Sequence, residues 1–363
     1  MAIGVMGCNI DLPPSFPKDF KDNAGNMIHA NAPLGMFQGC HHSTKTPRFA
    51  NFVNESCSHL ILTLANSVRL GEEEHVRYHS LMKFLSQINK PVVIFGLGAQ
   101  GNSEEDLEAG LPDATIKYLQ FLDEKAAVIG VRGEFTKRVI EEYAGVKKAF
   151  VTGCPSLFSR QDLVRRLRAK VTVTGARPAY AGTHFFKPLE REMMGKAIRG
   201  SNYFIEPVNK LIHNFHEELH QGPVPQNNFP YFIRTVQKTF DIEDHVVESY
   251  FKNNYRLFRD LPTCLRFLEK YVSFTYGTRF HVNMASYLSG RPAMWITHDT
   301  RTQELIDYFK LPHMNLQDAS QRLPDEIGAA IDLEPFYDNY GTVTRRFNEF
   351  LSIAGLPKLQ FKT

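Results

Sequence analysis

One pentapeptide carries the residue types best suited to anion chemistry. Residues 277–281 (Gly-Thr-Arg-Phe-His) follow a predicted strand, 272–275, and open a predicted helix, 282–288. If the pentapeptide continues the strand, the side chains of Arg279 and His281 point to the same side. A guanidinium, an imidazole and the free N–H groups of a helix start then converge where a phosphate or carboxylate would bind. The alternative is that both side chains only cap the helix locally.

A second strand end repeats this arrangement. Residues 298–302 (His-Asp-Thr-Arg-Thr) follow the predicted strand 293–296 and start another predicted helix. His298 and Arg301 could bind an anion, whereas Asp299 is an ordinary N-cap residue. Helix capping is therefore the alternative interpretation of this segment.

A third cationic side chain, Arg132, follows the predicted strand 128–131 in the other half of the chain. Its alternative role is a surface ion pair with Glu134. Ligands of open parallel sheets bind at the carboxyl ends of the strands. We therefore expect Arg132 and Arg279 to reach the same cleft from opposite halves.

Residues 96–101 match the G-x-G-x-x-G pattern and follow a predicted strand. The dinucleotide fingerprint requires its glycines to open a helix whose amino terminus holds the pyrophosphate. The continuation is acidic and is broken by Gly110 and Pro112. We interpret the glycines as a strand-to-loop turn lining the cleft, with Gln100 contacting substrate.

Residues 216–220 match H-E-x-x-H, which on a helix places two imidazoles on one face for zinc, with a glutamate as base. Glu218 adds a charge inside the motif, and Gly222 and Pro223 end the helix one turn later. We interpret the segment as a solvated helix end whose histidines lie near the negative end of the helix dipole. No zinc site is predicted here.

Short apolar segments alternate with amphipathic segments of helical spacing, which indicates βαβ units around parallel sheets. The predicted strands are residues 60–64, 91–95, 127–131, 149–152, 171–174, 272–275 and 293–296. The predicted helices are residues 75–89, 114–126, 134–144, 245–270 and 301–310, with a last helix at about 341–354. Residues 222–240 contain a glycine and three prolines and are predicted to form a long irregular insertion.

The basic segment 165–170 separates two α/β sets of similar size. The predicted fold class is therefore α/β, with two doubly wound Rossmann-like domains facing a cleft. The predicted domains are residues 1–168 and 169–337. Residues 338–363 are predicted to form a helix that packs back on the N-terminal domain.

The composition fits a folded protein and excludes several function classes. Hydrophobic residues make up 43% and charged residues 22%, which excludes disordered and fibrous chains. The formal net charge of +3 is too small to indicate a nucleic-acid partner. No apolar segment approaches the roughly 20 residues of a membrane-spanning helix. The five cysteines have no paired spacing and no secretory signal is recognised, so we predict a cytoplasmic protein.

Four segments of the chain resemble the polysaccharide pyruvyl transferases in sequence, order and spacing. They are residues 131–135 (Val-Arg-Gly-Glu-Phe), 153–157 (Gly-Cys-Pro-Ser-Leu), 277–281 and 298–302; residues 23–26 resemble the family's amino-terminal Asn/Gly turn. The matched elements run from about residue 60 to 315. The resemblance implies a fold similar to GT-B glycosyltransferases. It also implies transfer of the pyruvyl group of phosphoenolpyruvate onto a sugar as a ketal, with no metal or other cofactor.

The resemblance further implies roles for individual residues. Arg132 and Arg279 would be the donor-binding arginines, and His281 the histidine of the Arg-x-His element. Members of the family use another histidine near the donor, and His298 and His42 are the candidates for it. We expect His42 to lie in a loop. The further expected substrate contacts are Thr278, His298, Asp299, Arg301, Asn26 and Gln100.

The proposed donor fits these residues on chemical grounds. Phosphoenolpyruvate carries a carboxylate and a phosphate, and two arginine forks suit both groups. His281 is the expected proton donor or base.

Two other function classes stay open. One is a nucleotide-sugar glycosyltransferase of the same two-domain architecture, which also needs a cation and a helix start to hold a diphosphate. The other is a non-catalytic member that binds a glycan or a partner. The predicted partners are a small-molecule donor and a glycan acceptor. The sequence leaves three points open: which sugar is the acceptor, whether a lipid carrier brings the protein to the inner membrane surface, and whether the protein forms a homo-oligomer.

Overall fold

The computed structural model describes residues 2–13, 23, 25–70, 77–100, 110–182, 185–207, 209–297 and 300–362. The side chains of Asn66, Arg69, Arg77, Gln100 and Arg301 lie outside the described part. Within these ranges, no helix combines the length and the apolar character needed to cross a membrane.

The first half of the chain builds a parallel sheet with the strand order β2-β1-β3-β5-β6-β7, and β4 pairs with β5. Its strands are β1 (Ala2–Gly7), β2 (Cys40–His42), β3 (Cys57–Thr63), β4 (Asn66–Arg69), β5 (Val92–Gln100), β6 (Ala126–Val131) and β7 (Ala149–Val151). The helices of this half are α1 (Asn26–Ala30), α2 (Ala32–Met36), α3 (Pro47–Ser56), α4 (Arg77–Leu85), α5 (Asp113–Lys125), α6 (Glu134–Ala144) and α7 (Leu163–Arg168).

Both faces of this sheet are covered. Successive residues of β5 alternate between two separate hydrophobic clusters, with Val93 in one and Val92 and Ile94 in the other. A parallel strand that is buried on both faces has a continuous run of apolar residues, which is why β5 could be predicted from the sequence.

The second half builds another parallel sheet, with the order β10-β9-β8-β11-β12-β13. Its strands are β8 (Arg177–Tyr180), β9 (Tyr203–Ile205), β10 (Tyr255–Arg256), β11 (Val272–Gly277), β12 (Ala293–Thr297) and β13 (His313–Asn315). The helices are α8 (Pro188–Arg199), α9 (Lys210–Gln221), α10 (Tyr231–Phe240), α11 (Asp244–Asn254), α12 (Leu261–Tyr271), α13 (Phe280–Leu288), α14 (Thr300–Phe309), α15 (Leu316–Gln321), α16 (Pro324–Ala329) and α17 (Glu334–Ile353).

In each sheet the chain runs outward to one edge and then returns to build the other side. The direction reverses between β1 and β3 in the first sheet and between β8 and β11 in the second. A doubly wound sheet binds its ligand at such a switch point, outside the carboxyl ends of the strands. The predicted fold class, α/β with two doubly wound parallel sheets, is confirmed.

The last helix, α17, contacts residues of both halves. The Phe350 ring lies 5.5 Å from that of Phe95 in β5, and the Phe336 ring lies 5.2 Å from that of Tyr287 in α13. The helix begins at Glu334, several residues before the predicted start at about residue 341.

Three predicted elements were wrong. Residues 171–174 form no strand, since β8 begins at Arg177 and the Val171 side chain is 58% exposed instead of facing a core. The segment 222–240 is not irregular throughout, since it contains helix α10. Pro230 does not prevent this helix, because it lies directly before the first helical residue, where a proline is tolerated.

The predicted helix 245–270 is two helices, α11 and α12, separated by the short strand β10. The Asp260 carboxylate accepts a hydrogen bond from the Thr263 N–H and so starts α12 afresh.

Candidate active site

The site forms where β8 and β11 end side by side at the switch point of the second sheet. Gly277, the last residue of β11, has φ +145°, and a Cβ there would lie 2.1 Å from the Ala181 carbonyl oxygen. The Arg279 N–H donates to the same oxygen at 3.1 Å. Only a glycine permits this approach, which brings Arg279 to the carboxyl end of both strands.

Strand β11 ends at Gly277 and helix α13 begins at Phe280, so residues 278–281 do not continue the strand. The alternation argument for Arg279 and His281 was therefore wrong, although both side chains still border the same space. The Phe280 side chain is 7% exposed, and its ring lies 5.8 Å from that of Trp295.

The Arg279 guanidinium is held from two directions. Its Nε donates to the Gly182 carbonyl oxygen at 3.0 Å, and its Nη2 lies 2.6 Å from Oε1 of Glu206. Glu206 is fully buried, and the Arg279 side chain is 14% exposed. A buried, hydrogen-bonded pair of this kind fixes the fork of the guanidinium. Sequence reasoning missed Glu206 because no motif surrounds it.

Arg132 reaches the site from the first sheet. Its side chain is 2% exposed, and its Nε donates to the Gly96 carbonyl oxygen at 3.3 Å. A Cβ on Gly98 would lie 2.8 Å from the Arg132 Cδ. The first two glycines of the apparent dinucleotide pattern, Gly96 and Gly98, lie inside β5, and Gly98 makes room for Arg132. The third, Gly101, lies outside the described residues.

A histidine that the sequence did not single out, His29 in α1, lies directly behind the site. It is completely buried, and its Nδ1 lies 3.7 Å from the Cys154 Sγ. His281 Nε2 lies 3.7 Å from the same sulfur, and the two imidazole centroids are 5.9 Å apart. A five-residue helix with one histidine has no distinctive sequence signal; only the tertiary fold brings His29 to Cys154.

The environment of His29 keeps its imidazole neutral. Burial first and the nearby Arg132 charge second lower the pKa of His29 to about 3, against a hydrogen bond to the Phe95 backbone that acts in the opposite direction. Gly96 has φ +70°, and a Cβ there would come within 2.3 Å of the His29 Cε1. The first glycine of the pattern thus makes room for this histidine.

One pocket joins the candidate residues. It is lined by Asn23, Gly25, Asn26, Arg132, Pro207, Thr278, Arg279, Phe280, His281, Val282 and Leu305. The first residues of α13 are among them, so the positive end of that helix dipole lies beside the pocket. Side chains from both halves therefore line one pocket.

The structure brings five of the predicted site residues to this pocket: Arg132, Arg279, His281, Thr278 and Asn26. The Thr278 hydroxyl donates to the buried Glu190 carboxylate at 2.7 Å, which fixes its orientation.

The other predicted site residues cannot be placed. His298 and Asp299 lie outside the described residues. The side chains of Gln100, at the end of β5, and Arg301, in α14, also lie outside them.

His42 does not lie where a second donor histidine is needed. It belongs to strand β2 instead of a loop, and its Nε2 is 3.1 Å from the Cys8 carbonyl oxygen. The residues that line the pocket do not include it. In the described part of the chain, His29 is the histidine that lies next to His281 and Cys154.

The H-E-x-x-H pattern lies on helix α9. The His216 and His220 rings are 4.6 Å apart, and the His216 Nδ1 is 2.8 Å from the Phe251 carbonyl oxygen. Among the described residues, no third histidine, cysteine or carboxylate completes a metal-ligand group with them.

A contact between the two halves fixes the cleft next to Arg132. The Glu304 carboxylate of α14 accepts hydrogen bonds from the Thr136 N–H at 3.1 Å and from the Thr136 hydroxyl at 2.8 Å. A residue of the second half thus caps α6, whose first turn follows Arg132 directly.

The sequence model of the polysaccharide pyruvyl transferase family matches residues 9–300. The chain belongs to this family. The family is one of transferases that act on polysaccharides, and the match includes Arg132, Arg279 and His281. No curated protein is similar enough in sequence to count as a match.

Several solved structures are similar to this one. S. aureus MnaA, solved with UDP, is 10% identical, with all of both chains covered and a TM-score of 0.47. Anabaena HepE in complex with UDP-glucose is 8% identical over 98% of each chain, with a TM-score of 0.48. A UDP-N-acetylglucosamine 2-epimerase is 11% identical over 100% of this chain and 98% of its own, with a TM-score of 0.48. These likenesses carry no conclusion about the substrate of the present chain.

Proposed function

We propose that the protein transfers the pyruvyl group of phosphoenolpyruvate onto a sugar of a polysaccharide or its precursor, forming a ketal. One observation carries this proposal: Arg132 and Arg279, from opposite halves, line the same pocket as His281. A dianion with a carboxylate at one end and a phosphate at the other matches two fixed guanidinium groups.

The two arginines contribute in different ways. Arg279 shares its charge with the buried Glu206, so it adds a directional fork more than a full positive charge. Arg132 is buried and comes from the opposite wall of the pocket. Electrostatic stabilisation by groups held in place before the reaction is commonly the largest catalytic contribution.

The reaction requires protons to move at three places. The methylene carbon of phosphoenolpyruvate gains a proton, which leaves an oxocarbenium-like centre at the neighbouring carbon. A first sugar hydroxyl attacks that carbon and loses its proton. A second hydroxyl then attacks and loses its proton as inorganic phosphate leaves, which closes the ketal ring.

His281 is the group placed to carry these protons. It is half-buried and borders the pocket, so its imidazole can reach substrate, whereas His29 is completely buried behind it. General acid–base catalysis by a positioned side chain contributes about 10²–10⁴-fold to the rate. We propose that the reaction uses no metal or other cofactor, because the protons and charges are supplied by these side chains.

Thermal unfolding with candidate donors tests the proposed substrate class. A ligand at 100 times its Kd stabilises the folded state by about 2.7 kcal/mol. Phosphoenolpyruvate should therefore raise Tm by several degrees. Inorganic phosphate and pyruvate, each with one of the two anionic groups, should raise it less. A rise with UDP-glucose or NAD and none with phosphoenolpyruvate would contradict the proposal.

A further inference from the structure

His29, Cys154 and His281 form a group whose ligand atoms all lie within 4.8 Å of one another. His29 and Cys154 are completely buried, and His281 is half-buried at the edge of the pocket. The proposed transfer reaction uses His281 and gives no role to the sulfur.

The distances from the Cys154 sulfur to the two histidine nitrogens fit a zinc ion. Zinc binds cysteine sulfur at about 2.3 Å and histidine nitrogen at about 2.0–2.1 Å in tetrahedral geometry, which separates sulfur and nitrogen by about 3.6 Å. Both nitrogen-to-sulfur distances in the structure are 3.7 Å. The sulfur therefore needs almost no movement relative to either nitrogen. The two nitrogens lie within 4.8 Å of each other, and binding of the ion would set them about 3.4 Å apart.

We propose that His29, Cys154 and His281 form a zinc site with one open coordination position, and that zinc at this site inhibits the transferase. Two imidazoles and a thiolate are ligands of the kind that zinc prefers, and three protein ligands leave the fourth position for water or a substrate oxygen. Inhibition follows because the ion occupies the His281 nitrogen. The inhibition rests on the proposed function, whereas the binding of zinc does not.

The charge of Arg132 does not exclude such a site. Burial raises the pKa of the Cys154 thiol, and Arg132 acts in the opposite direction. A coordinating thiol is deprotonated by the metal itself. The thiolate then cancels one of the two zinc charges, and His29 is already neutral.

Cobalt(II) is the spectroscopic probe for this site. We expect the metal-free protein to bind one equivalent of cobalt and to show a thiolate-to-cobalt charge-transfer band in the near ultraviolet. Zinc should displace the cobalt and abolish the band. Cys154→Ser should lose the band, whereas Cys264→Ser, which changes another buried free cysteine, should keep it.

A second variant keeps the test decisive if Cys154→Ser fails to fold. His281→Ala removes the half-buried ligand. Mutation of a residue that only supports a metal ligand usually weakens metal binding by about 10–100-fold, so loss of the ligand itself should weaken cobalt binding by more than that. The zinc site is overturned if the wild type shows no charge-transfer band, if Cys154→Ser retains it, or if His281→Ala binds cobalt as tightly as the wild type. A protein that binds cobalt in this way but not phosphoenolpyruvate overturns the proposed function and leaves the zinc site standing.

Discussion

We expect His281→Ala to lower the rate of pyruvyl transfer by about 10²–10⁴-fold, the contribution of general acid–base catalysis. The imidazole borders the pocket and is half-buried, so its removal should cost little stability. The measurement is release of inorganic phosphate from phosphoenolpyruvate with a panel of sugar acceptors, together with Tm of the variant.

The matched control is His245→Ala, which removes a histidine with a 76% exposed side chain from helix α11. It should leave both the rate and Tm near the wild-type values. Near-normal turnover in His281→Ala would remove the proton-transfer role from His281. A large fall in Tm would instead show that the residue stabilises the fold.

Arg279→Lys should reduce kcat/KM for phosphoenolpyruvate by about 10²–10³-fold, the usual effect of losing one fixed donor to a developing charge. The lysine retains a charge for Glu206, but one ammonium cannot replace a fork that contacts Glu206, Gly182 and the donor together. Steady-state kinetics with phosphoenolpyruvate as the varied substrate measure this loss.

Lysine is preferable to alanine at this position. Removing one partner of a buried ion pair costs about 3–5 kcal/mol, because the remaining charge is left buried. Arg345→Lys, at an exposed position of α17, provides the control for the exchange itself. An unchanged KM and an unchanged kcat in Arg279→Lys would mean that the donor anion binds elsewhere.

The fold was largely predictable because buried parallel strands have a strong sequence signal. Strands such as β5 and β6 are apolar runs between amphipathic helices, and the doubly wound class follows from that alternation. Residues 171–174 misled because a β-branched run indicates a strand only where it faces a core. The short strands β9 and β10, of three and two residues, are too brief to show any periodicity.

From the residue pattern, the candidate site was predictable where a side chain closely follows a strand, whereas Asn26, in α1, was reached through the family resemblance. Arg132 and Arg279 were found in this way, because the carboxyl ends of parallel strands share one edge. His29 and Glu206 were not, since long-range packing alone brings them to Cys154 and Arg279. The glycine pattern in β5 was conspicuous because Gly96 and Gly98 leave room for the His29 and Arg132 side chains.

The central claim is that Arg132 and Arg279 bind the same molecule of phosphoenolpyruvate. Calorimetric titration of the wild type, Arg132→Lys, Arg279→Lys and the exposed control Arg345→Lys with phosphoenolpyruvate tests it without an acceptor. We predict one binding site in the wild type and in the control, and a loss of affinity of at least about tenfold, or 1.4 kcal/mol, in each of the other two variants. Wild-type affinity in either Arg132→Lys or Arg279→Lys, or no binding by the wild type, would contradict the account.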